Sequence, residues 1–129
     1  EREIEREVLP FCREQGVGVI PFFPLAGGFL TGKYLRGQPA PAGSRGETST
    51  YVQQYMTEAN YTRVELLSTW AGARGRGLNE LAQAWLLAHP EVSSVISGVT
   101  TLDQLQANAR AADWVLTPTE MEEVNKIAA

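Results

Sequence analysis

Residues 17–34 read VGVIPFFPLAGGFLTGKY. The first half, Val17 to Phe23, is an unbroken apolar run rather than an alternating one. That pattern predicts a strand buried on both faces, as in a parallel sheet. Pro24 and the pair Gly27-Gly28 follow, and the stretch closes on Thr31-Gly32-Lys33. A buried strand that empties into a glycine loop with a cation is a common way to build a ligand site at a strand's C-terminal end. A smaller copy of the same arrangement occurs at 92–108, VSSVISGVTTLDQLQAN. The function depends on whether these two stretches face one ligand.

The flanking segments read as helices. Ile4, Val8, Phe11 and Cys12 recur at helical spacing, predicting a helix from Glu5 to Gln15 that Gly16 stops. Pro10 within it implies a kink or a later start. Residues 23–57, rich in Gly, Pro, Ala, Ser and Thr, read as a long loop with one short turn near Gly28 to Thr31. Loops of this length are usually lids, binding loops or disordered segments. A helix is predicted over 58–73, with Val64, Leu67 and Ala71 on one side, and GARGRG ends it. Asn79 reads as the cap of a second helix, with Leu81, Trp85 and Ala88 on one face. Thr101 and Gln104 have capping-box spacing at the head of a third helix. Thr117-Pro118 with Glu120 gives the clearest helix start in the chain. Strand–helix–strand order predicts an α/β fold with right-handed parallel connection, with two strands at about 17–23 and 92–97 and four to five helices.

The bulk properties narrow the classes. The 129 residues carry a net charge of −4 and are 43% hydrophobic, enough for one domain with a core. The pI of about 5.0 argues against a nucleic-acid partner, since no basic excess exists to displace counterions. No apolar run approaches the roughly 20 residues that span a bilayer, so no membrane partner is expected. The single Cys12 forms no internal disulfide and suits a reducing, cytoplasmic compartment. No His/Cys/carboxylate cluster suggests a metal. The chain opens inside charged, helix-prone residues, which reads as a segment of something longer.

Several of these motifs together resemble one family. Ile20 to Tyr34 is similar to the seventh strand and following loop of aldo-keto reductases, and Val92 to Asn108 to their eighth strand and following helix. LPFCREQGVGVIP, GSR, ELAQAWLLAHPEVSSVI and AADWVLTPTEMEEV occur in the matching order. The likeness covers essentially the whole chain and is strongest to the branch of potassium-channel β-subunit-like and related bacterial members. It implies the C-terminal portion of a (β/α)8 TIM barrel, a fold of about 250 residues when complete. Residues 1–129 would then be a single partial domain with strands seven and eight and a cofactor loop at about 24–57.

The family transfers hydride between NADPH and an aldehyde or ketone. Its catalytic Asp, Tyr, Lys and His lie on earlier strands, so the resemblance implies no catalytic residue here. Lys33 and His89 do not correspond to the catalytic pair. What it implies is an NADP(H) half-site. Phe22, Phe23, Pro24, Leu25, Ala26 and Gly27 would run along the nicotinamide and pyrophosphate, Lys33 would meet phosphate, and Arg45 would reach over the cofactor. Gly98, Thr100, Gln104 and Asn108 would hold the adenosine end and its 2′-phosphate. Independently, Gly27 and Gly28 let backbone N–H groups approach an anion. Thr100 and Thr101 stand at a helix start that favours phosphate, and Gln104 and Asn108 project from one helix face.

Phe23 replaces a Ser common in the family, while Gly98 and Gln104 stand where other branches carry Lys and Arg. The choice between NADPH and NADH stays open. Plainer readings accompany each residue: Gln104 as a cap partner of Thr101, Lys33, Arg36 and Arg45 as solvating charges, Cys12 as a small core residue, His89 as a helix-end cation, the three tryptophans as packing, and Glu1, Glu3, Glu5 and Glu7 as a solvated face. A non-catalytic nicotinamide-binding regulatory module is the alternative function. The missing barrel portion, or self-association, is the expected cover for exposed apolar surface.

Overall fold

The computed structural model describes residues 2–129; Glu1 lies outside them. The chain begins with a 3-10 turn at Glu3–Glu5 and helix α1, Val8–Glu14. Pro10 falls in the first turn of α1, where a missing N–H breaks no helical bond. The helix therefore starts later than its periodicity implies, and Gly16 ends it at φ 64°. Its buried residue is Leu9, whereas Ile4, Val8 and Phe11 are exposed.

The predicted strands do not form. Among the described residues there is no strand or sheet, only an isolated parallel bridge between Val19 and Val92. Two hydrogen bonds make it: Val19 N–H to the Glu91 carbonyl at 2.8 Å and Ser93 N–H to the Val19 carbonyl at 2.9 Å. The expected C-terminal portion of a (β/α)8 barrel with two parallel strands at 17–23 and 92–97 is thus corrected to a helical chain with one bridge. Parallel pairs need further strands and covered faces to persist. Here Val17, Ile20, Phe22 and Ile96 are 51%, 56%, 86% and 69% exposed.

The core sits among the later helices. Helices α4 (Glu58–Gly72), α5 (Leu78–Leu87), α6 (Leu102–Ala112) and α7 (Pro118–Ala128) pack in sequence pairs α4–α5 and α5–α6, and α7 returns to α4. Val64, Leu67, Ala71, Leu78, Leu81, Ala84, Leu116 and Val124 are buried together with Phe29, Tyr34 and Val52 from the preceding segment. Gly77, not Asn79, occupies the N-cap of α5. Thr57 caps α4 through Asn60 N–H. The Thr117–Glu120 capping box is complete, with Pro118 at N1, as its sequence requires.

Two polar devices lock this helical layer. Glu80 on α5 is buried but ion-paired with Arg76 at 3.3 Å and Arg110 at 3.0 Å, which compensates a charge that would otherwise be costly to bury. Trp70 and Trp114 stack at 5.9 Å, with the Arg74 guanidinium 3.5 Å from the Trp70 ring centroid. The tryptophans are packing residues, as expected.

Candidate functional site

The loop that follows the bridge is built on left-handed backbone. Phe23, Ala26, Gly27, Gly28 and Gly32 have φ of 61°, 47°, 65°, 97° and 79°. For Phe23 and Ala26 this conformation costs about 1–2 kcal/mol each, so surrounding packing must hold it. Phe23 packs edge-on to Tyr51 at 5.2 Å and stacks on Phe22 at 5.5 Å. Pro24 and Leu25 are half-buried. The Leu25 carbonyl accepts from Gly28 N–H at 2.9 Å and Leu30 N–H at 3.1 Å, closing a 3-10 turn at Ala26–Thr31. A Cβ on Gly27 would stand 2.5 Å from Val52 Cγ2 and 2.7 Å from Phe23 Cζ. One on Gly28 would stand 3.0 Å from Lys33 Cε and Nζ. The Lys33 ammonium therefore lies across the Gly28 backbone, 5.1 Å from the Tyr34 ring, with no carboxylate paired to it among the described residues.

The segment 32–57 is ordered by specific ties. The Tyr34 hydroxyl accepts from Gly46 N–H at 3.0 Å in a buried contact, and Gln53 Nε2 donates to the Gly46 carbonyl at 3.1 Å. Two short helices, α2 (Arg45–Thr48) and α3 (Thr50–Gln53), lie within it. Arg36 clamps its start to α4, donating to Glu65 at 3.1 and 3.0 Å, to Thr62 at 2.8 Å and to Glu58. The Glu65 hydrogen bond raises the Arg36 pKa, and Arg36 in turn lowers that of Glu65. Arg36 is thus a structural clamp. Arg45 is exposed, with no side-chain partner among the described residues, and the neighbouring Ser44 Oγ is buried without a hydrogen bond.

The second stretch is arranged at the head of α6. Gly98 is exposed, with open space where a Cβ would be. Gln104 Oε1 accepts from Thr100 N–H at 2.8 Å and from Thr100 Oγ1 at 3.2 Å, while Gln104 N–H donates to Thr101 Oγ1 at 3.3 Å. Gln104 is a capping residue here, and it reaches Thr100 rather than the backbone of Thr101. Asn108 Oδ1 accepts from Gln83 Nε2 at 2.9 Å.

The structure gathers Phe22 to Gly27 with Lys33, and links them to the Arg45 turn through Tyr34, whose hydroxyl is 3.8 Å from the Cβ position of Gly28. Gly98, Thr100, Gln104 and Asn108 form a separate group. Helix α5 packs against both the Ala26–Thr31 turn and α6, and is the element that connects them. Tyr34, Ser44 and Gln83 were not flagged by sequence reasoning. A glutamine interrupting the apolar face of α5 was the available signal for Gln83. Two clefts of about 180 and 300 Å³ lie instead around α1, lined by Arg13, Pro90 and Glu91, and contain none of the expected site residues. Cys12 borders the larger and is half-buried. His89 Nδ1 lies 3.1 Å from the Trp85 carbonyl, which fits a helix-end role. No group of three or more His, Cys, Asp or Glu suited to a metal occurs among the described residues. No helix among them is long and apolar enough to cross a membrane.

The chain belongs to the aldo/keto reductase family, whose pattern matches residues 1–129. It is 36% identical over 116 residues to L-glyceraldehyde 3-phosphate reductase of Escherichia coli O157:H7, covering 88% of this chain and 34% of that protein. It is 35% identical over 130 residues to a probable voltage-gated potassium channel subunit beta of Arabidopsis thaliana, covering 97% of this chain and 39% of that one. An NADH-specific methylglyoxal reductase of Escherichia coli (strain K12) is 28% identical over 131 residues, covering 99% of this chain and 39% of the relative. The chain thus spans between a third and two-fifths of the length of these relatives.

Proposed function

We propose that this chain supplies the NADP(H)-binding part of an aldo-keto reductase, an oxidoreductase that transfers hydride between the cofactor and an aldehyde or ketone. The observation that carries the reading is the Gly28–Lys33 turn: an uncompensated ammonium laid across a left-handed glycine backbone, next to the Tyr34–Gly46 tie. An anion is the ligand such a cradle suits. The buried, unsatisfied Ser44 Oγ and the free Arg45 beside it also fit a phosphate-bearing group.

In this reading Phe22 and Phe23 offer ring faces to the nicotinamide, and Pro24, Leu25, Ala26 and Gly27 shape the wall beside it. Lys33 and Arg45 neutralise pyrophosphate charge. Gly98 leaves space beside the entry to α6 for the ribose phosphate, Thr100 borders it, and Gln104 holds Thr100 in place. Asn108 meets the adenine. The bound cofactor supplies the hydride. The residues of this chain bind and orient it, and the proton and catalytic side chains belong to parts of the whole protein outside this segment.

The names of the reductase relatives support a small carbonyl substrate. Identity to a potassium channel β subunit supports the second reading, a cofactor-binding regulatory module. Titration of the whole protein with NADPH and NADH, followed by turnover with methylglyoxal, separates them. Cofactor binding with turnover supports the reductase. Binding without turnover supports the module. Failure to bind either cofactor overturns both.

A further inference from the structure

Gln83 lies on α5 between Leu81 and Ala84 and is 4% exposed. A buried primary amide is costly unless both its ends find partners. Nε2 donates to the Asn79 carbonyl at 3.1 Å and to Asn108 Oδ1 at 2.9 Å. Oε1 accepts from Ser97 Oγ at 3.0 Å.

These partners fix the direction of the amide. The Asn79 backbone carbonyl can only accept, so an N–H must face it. The second N–H on the same nitrogen then meets Asn108, and Asn108 must answer with its oxygen. Reversing Gln83 would set its oxygen against the Asn79 carbonyl. Polarity therefore passes from a backbone carbonyl, through Gln83, to Asn108. Asn108 Oδ1 is engaged inward, and its Nδ2 has no protein partner among the described residues. Through Ser97, the same amide holds the residue immediately before Gly98.

We propose that Gln83 is the positioning residue of the adenosine half-site: it presents Asn108 as a hydrogen-bond donor toward an acceptor nitrogen of a purine, and it ties the 97–100 segment to the α6 face. This rests on the cofactor reading above and names a residue that never touches the ligand. Gln83 acts through Asn108, so its contribution to affinity exists only while the Asn108 amide is present.

The test uses the whole protein and NADPH as probe, with affinity read by fluorescence titration. Gln83→Met keeps the volume and removes the amide. Gln83→Glu keeps the size and still accepts from Ser97 but cannot donate. Each is expected to weaken NADPH binding by about 3- to 10-fold, the effect of one oriented hydrogen bond, and to raise the cofactor KM rather than lower kcat. Asn108→Ala is expected to weaken binding by a similar factor. In that background, Gln83→Met should add less than about twofold, since the two residues act as one unit. Near-wild-type affinity in either Gln83 variant overturns the proposal. So does a full, multiplicative loss in the double variant. If the wild-type protein binds neither NADPH nor NADH, the cofactor reading fails and this proposal falls with it.

Discussion

The Tyr34 hydroxyl accepts a hydrogen bond from Gly46 N–H across 3.0 Å, twelve residues along the chain. That contact is one of those that join the Ala26–Thr31 turn to the Arg45 turn, beside the packing of Phe23 on Tyr51. Gly46 has no room for a side chain: a Cβ would stand 2.5 Å from Tyr34 Cε1 and 2.4 Å from Met56 Cε. Together with the Arg36 clamp and the Phe23–Tyr51 contact, the Tyr34–Gly46 bond folds the long segment 32–57 back on the loop.

Tyr34→Phe removes the acceptor and leaves a buried N–H unpaired. A loss of about 1–3 kcal/mol in stability is expected. Amide exchange of Gly46 should accelerate, and limited proteolysis should cut sooner between residues 34 and 57. Unchanged exchange at Gly46 would show that the tie is not what orders the segment.

Gly27→Ala meets Val52 and Phe23 below contact distance while holding φ at 65°. The combined steric and backbone penalty is expected to be about 1–3 kcal/mol, seen as a lower urea midpoint. Gly16→Ala shares the positive φ but meets nothing within 4 Å, so its loss should be smaller. Equal losses would mean that close packing at Gly27 contributes nothing.

Lys33→Met and Arg45→Met each remove a cation of the candidate site that has no carboxylate partner among the described residues. Each is expected to weaken NADPH binding about tenfold, the scale of one charge-assisted contact, with the thermal midpoint unchanged. The salt dependence of binding should flatten in each. A thermal shift without an affinity change would place these side chains in the fold rather than the site.

Glu120 has its pKa lowered from 4.5, first by the Thr117 backbone N–H, then by the Thr117 hydroxyl and Arg74. A carboxyl with a depressed folded-state pKa stabilises above its unfolded value and loses that stabilisation as pH falls through the folded one. Stability should therefore drop below about pH 4.5 in the native protein. In Glu120→Gln that part of the acid sensitivity should be smaller, measured by urea melts at pH 7 and pH 3. Identical pH slopes would remove the capping box from the acid response.

What the sequence alone determined were features that need only a few neighbouring residues. Thr117-Pro118 with Glu120 builds its capping box from local donors and acceptors, and Gly16 ends α1 because glycine adopts the positive φ without strain. The family motifs at 20–34 and 92–108 identified the family for the same reason: they are contiguous. The apolar run at 17–23 misled, because a parallel strand is made by its neighbours, and only Val19 and Val92 bridge. Three-dimensional contacts alone decided the rest. The capping role of Gln104 was legible in its spacing from Thr101, but that its oxygen takes Thr100 rather than the Thr101 N–H was not. Tyr34 met Gly46, and Gln83 met Asn108, across sequence separations that no local pattern encodes. Which end of the Asn108 amide faces outward was settled by a backbone carbonyl on another helix, that of Asn79.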